Sequence, residues 1–183
     1  MFERPEPLGI LVEDLFASEL SWRLLKHLEK RTLQGLSSHL FVRTFSESCL
    51  ESTVSSHHFH DCWGFTGPVI ACSLNLAQKL ACMPCPSLRV YYLWDLEWLR
   101  LSQRQHRTLA ALYGDARLQL VCRTQEHARL VEDLFGRKVA GVVADACPED
   151  IIRLGLESRA QKPPEESLGE EEGGPRTRGQ RPR

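Results

Sequence analysis

Leu118-Gln119-Leu120-Val121-Cys122-Arg123-Thr124, followed by the helical run to Phe135-Gly136 and then by Val139-Ala140-Gly141-Val142-Val143, is the stretch whose reading decides the fold. The first run is short and apolar, as a buried strand requires. Thr124 offers an N-cap, Ala128, Val131, Leu134 and Phe135 recur at helical spacing, and Gly136 supplies the stop. Val139 to Val143 is continuously apolar, not alternating, which suits a strand covered on both faces. Strand, capped helix, strand is a crossover unit, and crossover units build parallel sheets.

The same grammar extends toward the N-terminus. Leu8–Val12 predicts a strand, and Ser18 caps a helix that carries Leu20, Leu24, Leu25 and Leu28 and ends near Gly35. His39 to Phe45 predicts a second strand and Pro68 to Cys72 a third; Ser73 then caps a short helix with Leu74, Ala77 and Leu80 inward. Leu88 to Trp94 is the clearest strand, and Ser102 caps the helix after it, closed by Gly114. Pro148, with Glu149 and Asp150 beside it, suits the first turn of a last helix. Residues 46–66, rich in Ser, His and Cys, show no period. The expectation is an α/β chain of Rossmann-like architecture: a mostly parallel sheet of about six strands with helices on both faces, a three-layer sandwich spanning residues 1–156. Residues 157–183, with Pro163-Pro164, Glu170-Glu171-Glu172, Gly173-Gly174 and a string of arginines, bury almost nothing and predict a disordered tail.

Totals narrow the function classes. A chain of 183 residues with 42% hydrophobic and 26% charged residues is sized for one soluble domain. A net charge of -1 speaks against a globally electrostatic nucleic-acid binder. No apolar run approaches the roughly 20 residues that span a bilayer. The N-terminus lacks the layout of a signal peptide, so the cytoplasm is the expected location. Seven cysteines, an odd number, fit free and mostly buried thiols. His57-His58-x-His60-x-Cys62 and Cys82-x-x-Cys85 contain zinc-type ligands, but a single C-x-x-C is half a site, and no metal is expected. Neither G-x-G-x-x-G nor the P-loop pattern occurs, which removes the usual phosphate cradles, and no cofactor is expected. No nucleophile elbow is present either.

Ligands of open parallel sheets bind beyond the carboxyl ends of the strands. That rule collects Glu13 and Asp14 after the first strand, Ser73 and Asn75 after the third, and Trp94, Asp95 and Glu97 after the fourth. Arg123 and Thr124 follow the fifth, and Asp145 the sixth. The set is polar and mostly acidic. Carboxylates accept hydrogen bonds from sugar hydroxyls, and Asp95 or Glu97 could serve as a base for a hydroxyl nucleophile. Within Trp94-Asp95-Leu96-Glu97-Trp98 the rings could stack on a sugar face or pack the rim of the sheet; the same polar residues also suit helix capping.

Val121-Cys122-Arg123-Thr124-Gln125-Glu126-His127-Ala128, with Phe135-Gly136 and Val139 to Val143, resembles the closing stretch of the N-terminal domain of GT-B glycosyltransferases. Arg89 to Arg100 is similar to strands of glycosyltransferase-like proteins of phages and bacteria. The resemblance implies an acceptor-side half, with a sugar or nucleotide-sugar at the strand ends and Arg123 neutralising phosphate. In that family the nucleotide-sugar sits mainly on a second domain, where this chain has its tail. A partner chain, a homodimer that rebuilds the cleft, or a non-enzymatic interaction module are the forms it implies.

Overall fold

In a computed structural model the described residues are 6–16, 18–45, 50, 52–100 and 103–161. They form a seven-stranded parallel sheet in the order β3-β2-β1-β4-β5-β6-β7. The strands are β1 (Leu8–Val12), β2 (Ser38–Val42), β3 (Ser55–His58), β4 (Val69–Ala71), β5 (Arg89–Leu93), β6 (Leu118–Cys122) and β7 (Gly141–Val142). The helices are α1 (Glu19–Leu33), α2 (Leu74–Cys82), α3 (Gln103–Gly114), α4 (Gln125–Phe135) and α5 (Pro148–Ala160). This is the α/β, Rossmann-like arrangement, and its strand order is that of a doubly wound sheet.

Strand periodicity sorts the two cores. Leu11, Phe41, Tyr91, Leu93, Leu120 and Cys122 face α2, α3 and α4. Ile10, Val12, Leu40, Val42, Val90, Tyr92 and Val121 face α1 and α5. Alternate residues of one strand thus serve opposite layers, which is why these strands are apolar throughout. Helix ends follow local chemistry. Ser18, Ser73 and Thr124 each accept a backbone N–H in the first turn of α1, α2 and α4. Gly35 and Gly136 take positive φ (75° and 60°) just beyond α1 and α4, a conformation that glycine adopts without a Cβ clash. Pro148 opens α5, where its missing N–H costs nothing.

Several boundaries differ from expectation, and the second strand, expected to reach Phe45, ends at Val42. The sheet has seven strands, because β3 emerges from the unreadable segment. Its Ser55, Ser56 and His58 are exposed, so a one-sided edge strand carries no apolar period to read. The last strand shortens to Gly141–Val142, although Ala140 N–H to the Leu120 carbonyl (2.7 Å) and Val143 N–H to the Cys122 carbonyl (2.9 Å) prolong its pairing. The last helix runs to Ala160, past the compositional change after Leu156, because Ser158 bonds Gln119 and Arg159 bonds the Ser87 carbonyl. The expected Ser102 cap and the tail beyond residue 161 lie outside the described residues.

At the β2–β3 edge, His39 Nδ1 lies 3.1 Å from His57 Nε2, with Phe41 and Phe65 against the His39 ring. Burial, and then the neighbouring His57, hold the His39 pKa below its ordinary 6.5. The unfolded chain therefore binds a proton that the folded chain resists. Stability is full above pH 6.5 and falls as pH drops through the folded value. A melting temperature that declines below pH 6.5, and declines less in His39→Gln, is the expected result of thermal melts across pH 5–8. Equal slopes in the two proteins would assign the decline to other groups.

Candidate functional site

The strand order reverses between β1 and β4, so the two chains leave their carboxyl ends in opposite directions and open a crevice there. In this protein the crevice is bridged by its own side chains. Glu13 follows β1 directly. One of its carboxylate oxygens accepts from the Ser73 hydroxyl at 2.7 Å, and the other from Arg43 at 2.9 Å. A single carboxylate thus ties the loops after β1, β2 and β4 together. Asp14 is turned back on its own loop, accepting from the Phe16 N–H at 3.1 Å.

The N-terminus of α2 opens onto the same crevice and also holds a carboxylate. Both oxygens of Glu97 accept from the Leu74 N–H, at 3.0 and 3.2 Å. Glu97 reaches it from a 3-10 turn (Glu97–Arg100) after β5, so a residue distant in sequence completes the helix cap that Ser73 begins. Anionic charge at a helix N-terminus is favourable, and this one is satisfied internally. The Cys72 thiol beneath is pushed up to about 12, by burial first and by the Glu97 charge second. Asn75 sits half-buried in the first turn of α2, and Asp95 is exposed just after β5.

Trp94 is buried at the end of β5. Its ring is covered by the Arg123 guanidinium, 3.7 Å from the ring centroid. Glu19, in the first turn of α1, lies between Arg123 (3.2 Å) and Arg23 (2.8 Å). The expected phosphate-neutralising arginine is therefore already ion-paired and stacked, a geometry that uses its planar fork and its face together. Thr124 is taken up by capping α4, its hydroxyl accepting from the His127 N–H at 3.2 Å.

Asp145 stands apart, beyond β7, in a hollow of about 580 Å³ beside α1 that also includes Glu19, Trp22, Arg23 and His27. Its carboxylate accepts from the Cys147 N–H (3.3 Å) and lies 3.5 Å from His27 Nε2. The next residue, Ala146, is buried with φ at 59°. A left-handed alanine costs about 1–2 kcal/mol, so packing holds this turn in a strained form.

Of the strand-end residues expected to converge, the structure joins Glu13 to Ser73, brings Glu97 onto α2 and places Arg123 on Trp94. Asn75, Asp95, Asp14 and Asp145 join none of these contacts. Arg43 and Glu19 are participants that sequence reasoning missed. Arg43 follows β2, where the strand-end rule would find it once that strand is ended at Val42; Glu19 lies one residue past the Ser18 cap, as the acidic residue of the first turn of α1. Trp98 packs inward against Tyr113 and Phe135 and offers no face to a ligand.

The histidine and cysteine motifs do not assemble. His39 pairs with His57, while His58 pairs with His60, and Cys62 is fully buried. Among the described residues no group of three or more His, Cys, Asp or Glu could hold a metal, and all six described cysteines are free thiols. Buried Cys62 and Cys122 are each pushed up to about 12 by burial, which makes them poor nucleophiles. An apolar hollow of about 430 Å³ lies at the opposite, amino edge, lined by Leu8, Pro68, Leu88, Ile152 and Leu156, and includes none of the strand-end residues.

No helix among the described residues is long and apolar enough to cross a membrane. Compared with family models, curated proteins and solved structures, the chain matches none.

Proposed function

We propose that this chain binds a neutral, hydroxyl-rich ligand, a saccharide, at the carboxyl edge of its sheet, in the manner of the acceptor-side half of a GT-B glycosyltransferase, and leaves any nucleotide-sugar to another chain. The observation that carries this reading is the carboxylate already seated at each position where a doubly wound sheet would receive phosphate. Glu97 occupies the α2 N-terminus, Glu13 bridges the crevice, and Glu19 neutralises Arg123. An incoming phosphate would meet negative charge where phosphate sites supply bare N–H groups. Hydroxyls face no such penalty, since carboxylates accept from them. Exposed Asp95 is the group free to accept, or to act as base toward a hydroxyl. Glu97 positions α2. Phe16 and Phe45, both about half exposed in the loops after β1 and β2, offer apolar surface to the C–H face of a sugar ring.

The test is a thermal-shift series against neutral mono- and oligosaccharides and, in parallel, UDP-, GDP-, ADP- and CMP-sugars. A ligand that binds only the folded state raises its apparent stability. Saturable stabilisation by a neutral saccharide is expected, lost in Asp95→Asn at unchanged melting temperature of the free protein. Equal or greater stabilisation by a nucleotide-sugar would overturn the acceptor-side assignment. No shift with any saccharide would instead favour a non-enzymatic interaction module. The exposed apolar residues Phe16, Trp22, Phe45 and Leu99 are the observation that supports this second reading.

A further inference from the structure

Along α1, Trp22, Lys26 and Lys30 follow one another at four-residue intervals and stand on one ridge, about 12 Å long at the helical rise of about 1.5 Å per residue. All three are exposed, and Trp22, at 64%, is the most exposed of the described Phe, Tyr and Trp residues. The ridge lines the hollow of about 580 Å³ that Asp145, in the loop after β7, closes from the other side. Small-ligand sites usually measure about 300–1,000 Å³. The neighbouring ridge of α1 is consumed within the protein. Glu19 is held by Arg23 and Arg123, His27 faces Asp145, and Arg31 bonds Glu149. Among the described residues, Lys26 and Lys30 have no acidic partner and Trp22 meets no other ring.

We propose that this hollow binds a saccharide carrying a single carboxylate, of the uronic-acid class. The Trp22 ring supplies a broad apolar face for the C–H groups of one sugar ring, with its N–H as a polar handle. Lys26 and Lys30, unpaired and one helical turn apart, meet the carboxylate. The Asp145 carboxylate, whose contact to His27 is long at 3.5 Å, accepts from sugar hydroxyls. An aliphatic or aromatic acid would bring no donor to that wall. Charge decides against phosphates and polyanions. With His27 neutral, Arg23, Lys26 and Lys30 against Glu19 and Asp145 leave the hollow one net positive charge, which matches one carboxylate. A phosphate dianion would exceed that charge and meet the two carboxylates as well. The turn that carries Asp145 into the hollow is the strained one at Ala146 (φ 59°), and strain of this kind gathers at ligand sites, where the surroundings hold it in place. Neither Asp95 nor the crevice between β1 and β4 takes part, so this site stands apart from the saccharide site proposed above.

The test is a titration of the full chain with methyl glucuronide and with methyl glucoside, which differ only in a carboxylate for a hydroxymethyl group. The readout is the Trp22 indole N–H resonance, identified by its loss in Trp22→Phe. A saturable shift with the glucuronide is expected, at an affinity about fivefold or more above that of the glucoside, the size that exposed ion pairs can supply. Replacing both lysines, Lys26→Gln with Lys30→Gln, should lower the glucuronide to the affinity of the glucoside, while Lys79→Gln on α2 should change nothing. These side chains are exposed, so the variants should fold as the parent does; far-ultraviolet circular dichroism checks this. An indole resonance that ignores both sugars, or answers both equally, would overturn the site. So would an equal response to sodium acetate or a stronger one to inorganic phosphate, which would reduce it to a general anion patch. A saccharide at the carboxyl edge is read by the thermal shift that depends on Asp95, not by this resonance, so the two sites stand or fall separately.

Discussion

Gly67→Ala is expected to destabilise the protein by more than about 3 kcal/mol, at the severe end of single substitutions. Gly67 is buried just before β4, and a Cβ built on it falls 2.0 Å from the Pro7 carbonyl oxygen. That oxygen belongs to the backbone entering β1, which neighbours β4 in the sheet, and the Gly9 N–H bonds the Pro68 carbonyl at 2.9 Å. The clash therefore cannot be relieved by turning a side chain; it must push the two central strands apart and stretch their ladder. Gly9→Ala is the informative contrast. There the added Cβ meets ring atoms of Phe65 at 2.9 Å and Phe41 at 3.2 Å, which can rotate away. In a chain of this size about 2–4 °C of melting temperature accompanies each kcal/mol, so Gly67→Ala should melt at least about 6 °C lower, and Gly9→Ala should lose distinctly less. A Gly67→Ala protein that melts with the parent would show that the two chain entries do not run this close.

Trp98→Ala is expected to cost about 3–5 kcal/mol, the usual range for emptying a buried tryptophan site. Trp98 is 3% exposed and meets Tyr113 edge-on (5.6 Å, 90°) and Phe135 edge-on (5.8 Å, 83°), while those two rings stack at 4.5 Å. This cluster fastens the turn after β5 to α3 and α4 together. The same turn carries Glu97, so loosening it also exposes the Leu74 N–H at the start of α2 to loss of its carboxylate. Trp98→Phe should recover much of the loss, because a smaller ring can still meet one partner edge-on. Urea unfolding of the three proteins measures this. A Trp98→Ala protein as stable as the parent, but unable to bind a saccharide that the parent binds, would assign this ring to the ligand.

The strand-end residues show how far the sequence reaches. That Glu13, Ser73, Glu97 and Arg123 lie at one edge of the sheet follows from the order of apolar runs and helix caps alone, because a parallel strand fixes which of its ends faces which way. What each residue does at that edge does not follow. Arg123 is a free cation on paper; in the fold it lies flat on Trp94 and is paired with Glu19, which is 104 positions away. Glu97 reads as a base and serves as the far half of a helix cap. Such pairings depend on loop paths of an ångström or two, and residue type does not encode those.

By itself the sequence determined the parallel α/β architecture, the helix starts at Ser18, Ser73 and Thr124, and the stops at Gly35 and Gly136. These are local matters of periodicity, capping and glycine conformation, each settled within a few residues. Only the tertiary structure decided the strand order, the edge strand β3, the split of the histidines into two pairs, the filling of the crevice by Glu13 and Glu97 and the pairing of Glu19 with Arg123. Each of those depends on contacts between segments that are distant along the chain or on a polar strand without an apolar rhythm. Their energies arise only when the folded backbone brings the partners within hydrogen-bonding distance.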